Sequence, residues 1–404
     1  MKFRGDQYSA YKWLWAMVLL PALALELSAC QSNATLADAL DPAAVNEARE
    51  DGNGVPGGPA QDKQSLGRGD VDISMLLPLS APGSVGENGR KMRDAAQLAM
   101  SDLGNDLITL TIEDTRGDSA VAKGLAVKAL GSGAKAVIGP TELPAAKHLA
   151  SISGTKKPVV LALAENFDGA PGVYSVRLSE ADSAAAGAAA IAEKGARKFV
   201  LLVAAGPHAA AVEKRVANSL SIYGASLAVT IPYSPGGNGG EKAVADMAAL
   251  VSQPEAIVIA SGSYSPSTIL SSLRSGKFGK GAVLIGTNRW SEHPISGDLF
   301  EGAYIATLDQ AEAGPIAVRF KSAFNSDADA NVAYSYDMVA LTAGIASAVG
   351  PDGFKREVLE NRTGFRGSTG VFRFRADGGS ERAMPFYRIE KGILKKINKS
   401  TSSF

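Results

Sequence analysis

The sequence predicts an α/β fold of two doubly wound βα lobes, and three observations predict it. From residue 71 onward, short apolar runs alternate with segments of helical period. The apolar runs are continuous rather than alternating, which suits strands covered on both faces. Two such series of similar size follow one another, and returning segments near the C-terminus close them. Alternation of this kind builds parallel sheets with helices on both sides.

The first unit sets the pattern. Residues 73–77 are an apolar run that Pro78 ends, and residues 79–89 form a loop rich in Ser, Pro and Gly. Met92, Ala96, Ala99 and Leu103 then recur at helical spacing, and residues 107–112 return to strand composition. The first loop and helix start therefore lie at the carboxyl edge of the strands, where open α/β sheets bind ligands. A helix at 119–130 carries Ala122, Leu125, Ala126 and Ala129 on one face. It is followed by a strand at 136–138, a tight Gly139-Pro140-Thr141 turn, a helix at 143–152 and a strand at 158–163.

The second series opens with an alanine-rich helix at 181–193. Strands are predicted at 198–204, 226–231, 256–260, 282–286 and 302–308, and helices at 209–223, 243–252 and 266–275. Residues 315–325 and 332–349 read as helices. Residues 370–375 and 386–391 read as a closing hairpin pair around the Asp377-Gly378-Gly379 turn.

Composition narrows the function. The chain has 404 residues, 46% of them hydrophobic, with 41 basic and 41 acidic side chains. With no basic excess, nucleic acid is not an expected partner. The N-terminus supplies an address. Lys2, Arg4 and Lys12 precede an apolar stretch at 13–25, within the length of a signal h-region and short for a membrane span. Leu27-Ser28-Ala29-Cys30 follows, and Cys30 is the only cysteine. This resembles the bacterial lipoprotein signal, in which the cysteine is lipidated, and Gln31 in place of Asp implies the outer membrane. Glu26 departs from the usual signal. Several acyl chains would make the anchoring nearly permanent. Residues 31–70 lack periodicity and read as a tether that spans on the order of 35 Å as a coil.

Several stretches, in order, carry a wider resemblance: MLLPLSAPGSVGENGRKMRDAAQLA, LTIEDTRGD, AVIGP, PVVLALAEN, EGAYIATLD, YSYDMVALTAGI and STGVFRFRADGG. Over roughly residues 71–391 the chain resembles the type I periplasmic binding proteins, the fold of the leucine/isoleucine/valine receptors. That resemblance implies three crossovers between lobes, placed near Leu178, Leu308 and Phe365, and a ligand cleft between them. The implied division is a signal peptide at 1–29 and lipidated cysteine plus tether at 30–70. Lobe 1 takes 71–177 plus 309–365, lobe 2 takes 178–308 plus 366–396, and 397–404 is a tail. The lipoprotein signal with LLPLS, ALAEN, GTNRW and GFRGSTGVFRFRADG is most similar to the lipoproteins named penicillin-binding protein activators. In their best-studied branch these stimulate a peptidoglycan synthase. The long helical-repeat domain of that branch has no counterpart in this sequence.

The candidate ligand-binding residues sit in loops at strand ends. Ser80 and Ser84, with the N–H groups of the first helix, could hold a carboxylate, or serve as cap and turn serines. In amino-acid receptors the turn at 140–142 carries Ser and Thr that grip the ligand's carboxylate. Here only Thr141 and Glu142 are polar, and Leu143 and Pro144 follow. Glu165 and Asn166 lie where the receptors hold the ligand's ammonium, although Glu165 reads equally as a solvated loop carboxylate. Asp182 and Ser183 lie where the receptors place an acidic residue at the first crossing, or cap the alanine-rich helix. On lobe 2, His208, Tyr264, Asn288, Arg289 and Trp290 follow strands. Tyr264 or Trp290 could close over a ligand, Arg289 could bind a carboxylate bidentately, and Trp290 could instead be a packed residue.

His148, His208 and His293 have no acidic partner at metal spacing, and no G-x-S-x-G elbow or P-loop occurs. The expectation is therefore a protein without enzymatic activity, metal or cofactor. It would be a lipid-anchored periplasmic receptor for a small polar, amino-acid-like solute, serving an ABC permease. The alternative is an outer-membrane lipoprotein activator of a penicillin-binding protein.

Overall fold

The computed structural model describes residues 63–152, 159–275 and 281–397. The predicted signal stretch, Cys30, most of the tether and most of the tail lie outside these residues.

Lobe 1 is a six-stranded sheet in the order β1-β3-β2-β4-β5-β6. Its elements are β1 (Lys63–Leu66), β2 (Asp72–Leu77), α1 (Gly83–Leu103), β3 (Thr109–Asp114), α2 (Ser119–Gly131), β4 (Ala136–Ile138), α3 (Leu143–Ser151), β5 (Val159–Ala162) and β6 (Val173–Ser175). Strands β2 to β6 run parallel, and β1 lies antiparallel to β3. The continuous apolar runs have the predicted cause. Ile73, Met75, Ile138 and Leu161 face one core, whereas Leu76, Val137 and Val160 face another that contains α2 and α3. Side chains alternate across a strand, so a sheet covered twice needs apolar residues at successive positions.

Lobe 2 is a seven-stranded sheet in the order β16-β15-β11-β10-β9-β7-β8. It comprises α4 (Glu180–Glu193), β7 (Lys198–Ala204), α5 (Ala209–Ser221), β8 (Ser226–Tyr233), α6 (Gly239–Leu250), β9 (Ala256–Ala260), α7 (Ser267–Ser275), β10 (Val283–Gly286) and β11 (Tyr304–Ala306). Phe199, Leu201 and Val203 pack against α4 and α5, while Val200, Leu202 and Ile257 pack against α6 and α7. The chain then returns to lobe 1 as α8 (Gln310–Phe324), α9 (Ala330–Val349) and a short α10 (Arg356–Leu359). Helix α9 is long and apolar enough to cross a membrane, but its apolar residues Met338, Val339 and Ile345 are buried in the lobe 1 core.

The structure corrects four expectations. First, residues 63–66 belong to the sheet and not to the tether: Lys63 pairs with Glu113 and Leu66 with Leu110. A four-residue strand of mostly polar residues carries no apolar signal. Second, α1 begins inside the predicted loop. Gly86 and Gly89 are there for close packing rather than for a turn: a Cβ at Gly86 would lie 1.9 Å from the Ala81 carbonyl oxygen, and one at Gly89 would lie 2.7 Å from that of Pro78.

Third, the closing strands do not pair with each other. Strand β13 (Gly370–Phe374) lies between β12 (Phe365–Gly367) and β14 (Ser380–Arg382). Strand β15 (Phe386–Glu390) joins β11 and β16 (Ile393–Lys396). Fourth, residues 366–382 therefore belong with lobe 1, and the third passage lies at 383–385, not near Phe365. Phe372 and Phe374 sit in the lobe 1 core, with the Phe374 ring 5.0 Å from that of Tyr174. This aromatic burial decides the segment's place, and sequence spacing carries no trace of it.

Candidate functional site

The three passages run beside one another. Ser175 donates its backbone N–H to Gly378, Thr307 donates to Pro385, and the Arg382 guanidinium reaches the Val176 carbonyl at 2.5 Å. Arg382 is buried between the rings of Tyr334 and Phe372, at 5.1 and 4.9 Å, and also donates to Thr369 Oγ1 at 2.7 Å. Burial holds its pKa below the usual arginine range. Thr369 in turn donates to the buried Asp337 carboxylate, which also accepts the backbone N–H groups of Ser368 and Thr369 at 2.6 and 3.0 Å.

In front of this junction the loops after β5, β6 and β10 meet around a recess of about 40 Å³. A water needs ~10–15 Å³ of such space, so the recess has room for about three or four waters. Glu165, Asn166, Arg177 and Ser179 line it from the lobe 1 side and the first passage, and Asn288, Arg289 and Glu292 line it from lobe 2. Tyr334 of α9 forms its back, with its hydroxyl accepting the Leu178 N–H at 2.9 Å. Arg177 lies over the Tyr334 ring and donates to Asn331 Oδ1 at 2.5 Å and to Glu165 Oε1 at 2.6 Å. Arg289 donates to Glu165 Oε2 at 3.1 Å and to Glu292 Oε1 at 2.8 Å. Burial pushes the Glu165 carboxyl up, but the charges of Arg177 and Arg289 outweigh it and hold it below the usual carboxylate range. Burial likewise opposes the Arg289 charge, and Glu165 and Glu292 outweigh it, so the guanidinium stays charged.

Of the predicted residues the structure brings Glu165, Asn166, Asn288 and Arg289 to one recess. Glu165 meets two arginines of its own chain there, and Arg289 two carboxylates. The Asn288 backbone N–H donates to Ser183 Oγ at 2.8 Å, its amide donates to Leu178, and its Oδ1 is buried without a partner.

The others lie elsewhere. Ser80 is exposed, with its N–H donating to Asp114 at 3.2 Å, and Ser84 is exposed in the first turn of α1. Glu142 accepts from Thr115 Oγ1 at 2.5 Å beside Thr141, and its other oxygen is buried without a partner. Burial pushes the Glu142 carboxyl up more than the Thr115 and Thr141 hydroxyls pull it down. Ser179, not Asp182 or Ser183, caps α4. Asp182 pairs with Arg215 at 2.7 Å, and the buried Ser183 donates to the Ala306 carbonyl at 2.6 Å. Tyr264 is exposed in the turn after β9. Trp290 is fully buried, 5.8 Å from Phe300 and edge-on, and therefore cannot close over a ligand: the packed reading holds.

His208 faces a residue that was overlooked. Its Nε2 lies 3.7 Å from the carboxylate of Glu180, which is buried in the first turn of α4. That carboxylate also accepts the Gly262 N–H at 3.0 Å and Thr287 Oγ1 at 2.9 Å. Burial pushes the Glu180 carboxyl up, and the hydrogen bonds and the charges of His208 and Arg289 offset only part of this. Arg177, Ser179, Glu180 and Tyr334 were all missed. Arg177 had one visible signal, a charge interrupting the apolar VYSVRL run that ends β6.

Residues 70–393 match the family model described as periplasmic binding protein. No curated protein matches the chain. Among solved structures, a protein from Rhodospirillum rubrum, assigned to branched-chain amino acid ABC transport, superposes with a TM-score of 0.68 at 17% identity, covering 81% of this chain and 99% of that one. An ABC transporter substrate-binding protein from Desulfitobacterium hafniense in complex with Leu gives 0.60 at 16%, covering 82% and 100%. A solute-binding protein from Rhodopseudomonas palustris BisB5 in complex with 3,4-dihydroxybenzoic acid gives 0.59 at 14%, covering 83% and 97%. At these identities the likeness is one of fold.

Proposed function

The chain belongs to the periplasmic binding-protein family, and we propose that it is a non-catalytic, lipid-anchored receptor that closes two lobes on a small polar solute bearing a carboxylate. One observation carries this reading: Arg177 and Arg289 approach the same recess from opposite lobes and both already hold a carboxylate there. Guanidinium–carboxylate pairs are strong and directional, and a group bridging the lobes favours the closed state by its differential affinity for it. Ser179, Asn166 and Asn288 add neutral hydrogen-bonding groups around the pair. The ligands in two of the similar structures, Leu and 3,4-dihydroxybenzoic acid, both carry a carboxylate. An amino acid or an aromatic acid delivered to an ABC permease fits this chemistry. The Leu27-Ser28-Ala29-Cys30 stretch, which resembles a bacterial lipoprotein signal, supports a periplasmic receptor tethered to the outer membrane.

The test is a thermal-shift panel on residues 31–404 with amino acids, aromatic acids, short peptides and peptidoglycan fragments. A solute at 100 times its Kd adds roughly 2.7 kcal/mol, a shift of a few degrees in a domain pair of this size. A shift with carboxylates that Arg289→Ala abolishes is expected. No shift with any of them refutes the receptor reading.

A second reading is an activator of a penicillin-binding protein that uses the same fold as a scaffold. It is favoured by the small recess and by Glu142, which is spent on Thr115 rather than offered to a ligand. Cross-linking in cells, followed by co-purification with a penicillin-binding protein, is its test. Failure to recover one counts against it.

A further inference from the structure

We propose that Glu165 is a built-in occupant of the recess, a latch that bridges the two lobes and that a solute carboxylate has to displace. The displacement half deepens the receptor reading and rests on it; the latch half does not.

Each Glu165 oxygen serves one lobe: Oε1 accepts from Arg177 of lobe 1 and Oε2 from Arg289 of lobe 2. The turn that aims it is specific, because Asn166 takes a left-handed conformation with φ 54°. The arginine side chains are only 16% and 11% exposed, whereas that of Glu165 is 48% exposed. Glu165 can therefore swing out into water, while the arginines stay fixed by Asn331, Tyr334 and Glu292. Among the described residues Glu165 is the carboxylate that pairs with Arg177. A neutral solute that pushed Glu165 aside would leave Arg177 without a counter-charge in a poorly solvated place, which is costly. A solute carboxylate replaces what it removes. The occupant thus acts as a filter against uncharged solutes as well as a latch.

The test reads lobe separation directly. Cys30 is the only cysteine, so residues 31–404 carrying Lys147→Cys on α3 and Lys214→Cys on α5 take two spin labels, one per lobe. Pulsed dipolar spectroscopy on solute-free protein is expected to give one narrow distance for otherwise wild-type protein. Glu165→Gln is expected to lower the closed-to-open ratio on the order of tenfold, the scale of two partly exposed ion pairs. Glu165→Ala serves as the second variant. Identical distributions in all three proteins overturn the latch. L-leucine and 3,4-dihydroxybenzoate, each beside its neutral amide, are then titrated. The acids are expected to bind Glu165→Gln several-fold tighter than wild type, and the amides to gain at least as much, because the filter goes with the latch. Equal affinities overturn the displacement. If the distributions differ but no solute binds either protein, the latch stands and the receptor reading fails for these solutes.

Discussion

Asp337→Ala should destabilise the junction between the lobes by about 3–5 kcal/mol. The Asp337 carboxylate is buried and accepts three hydrogen bonds: from the N–H groups of Ser368 and Thr369 and from Thr369 Oγ1, all at 2.5 to 3.0 Å. Hydrogen bonds to a charged group contribute about 1.5–3 kcal/mol each. They share one acceptor and do not add in full. Removing the carboxylate also strips Thr369 of the acceptor that orients its hydroxyl toward Arg382, and leaves that guanidinium with less compensation. Breaking one side of a buried charged network costs about 3–5 kcal/mol, which converts to a fall of about 5–10 °C in the unfolding midpoint. Asp337→Asn keeps one acceptor oxygen and should lose roughly half as much. Circular dichroism melts at neutral pH measure both. A fall below about 2 °C for the alanine variant would show that the β12–β13 segment is held by its aromatic packing and not by this carboxylate.

Four shorter predictions accompany it. Arg382→Met should destabilise by about 1–3 kcal/mol in a urea titration, because it leaves the buried Val176 carbonyl and Thr369 Oγ1 without their donor, and an unchanged midpoint would refute this. Gly286→Ala should destabilise by about 1–3 kcal/mol, since its Cβ would lie 2.4 Å from the Trp290 ring. Trp13, Trp15 and Trp290 are the only tryptophans, so fluorescence of residues 31–404 reports this site alone, and an unchanged spectrum and midpoint would refute the clash. Glu180 has a raised native pKa. Its contribution is therefore fully present below the unfolded value of about 4.3 and lost as pH rises through the native one. Glu180→Gln should flatten the stability profile from about pH 4 upward, and an unaltered slope would count against the assignment. Glu165 has a lowered native pKa, so its ion pairs hold above the unfolded value and fail as pH falls through the native one. Wild-type lobe distances should then widen in acid toward those of Glu165→Gln, and invariance would contradict this.

The βα rhythm was legible because burial on both faces writes itself into the residues of each strand. Met75 and Leu76 are adjacent and both buried, one on each side of the sheet. What escaped was whatever depends on the backbone or on distant partners. Strands β1 and β14 are short and polar, and hydrogen bonds to a neighbour are their only reason to be strands. Gly86 and Gly89 looked like loop residues because a glycine required by a close carbonyl reads the same as one required by a turn. The site was half legible for a related reason. Loops after parallel strands are the right places to search, and Glu165, Asn288 and Arg289 came from that rule. The rule does not say which loop residues point inward. Trp290 turned into the core, and Arg177 became a site residue only because α9 supplies Tyr334 and Asn331 from more than 150 positions away.

The placement of Phe372 and Phe374 against Tyr174 and Met338 has a temporal consequence. The sheet of lobe 1 is complete in sequence by Ser175, yet its aromatic layer arrives about 200 residues later. A nascent chain emerging from its N-terminus cannot finish this lobe until lobe 2 has been made. A long loop must be closed before these contacts reward it. Chains stopped near residue 360 should bind a hydrophobic dye strongly and aggregate, while lobe 2 by then lacks only its edge strands β15 and β16. Late completion therefore keeps the polypeptide pliable for most of its synthesis.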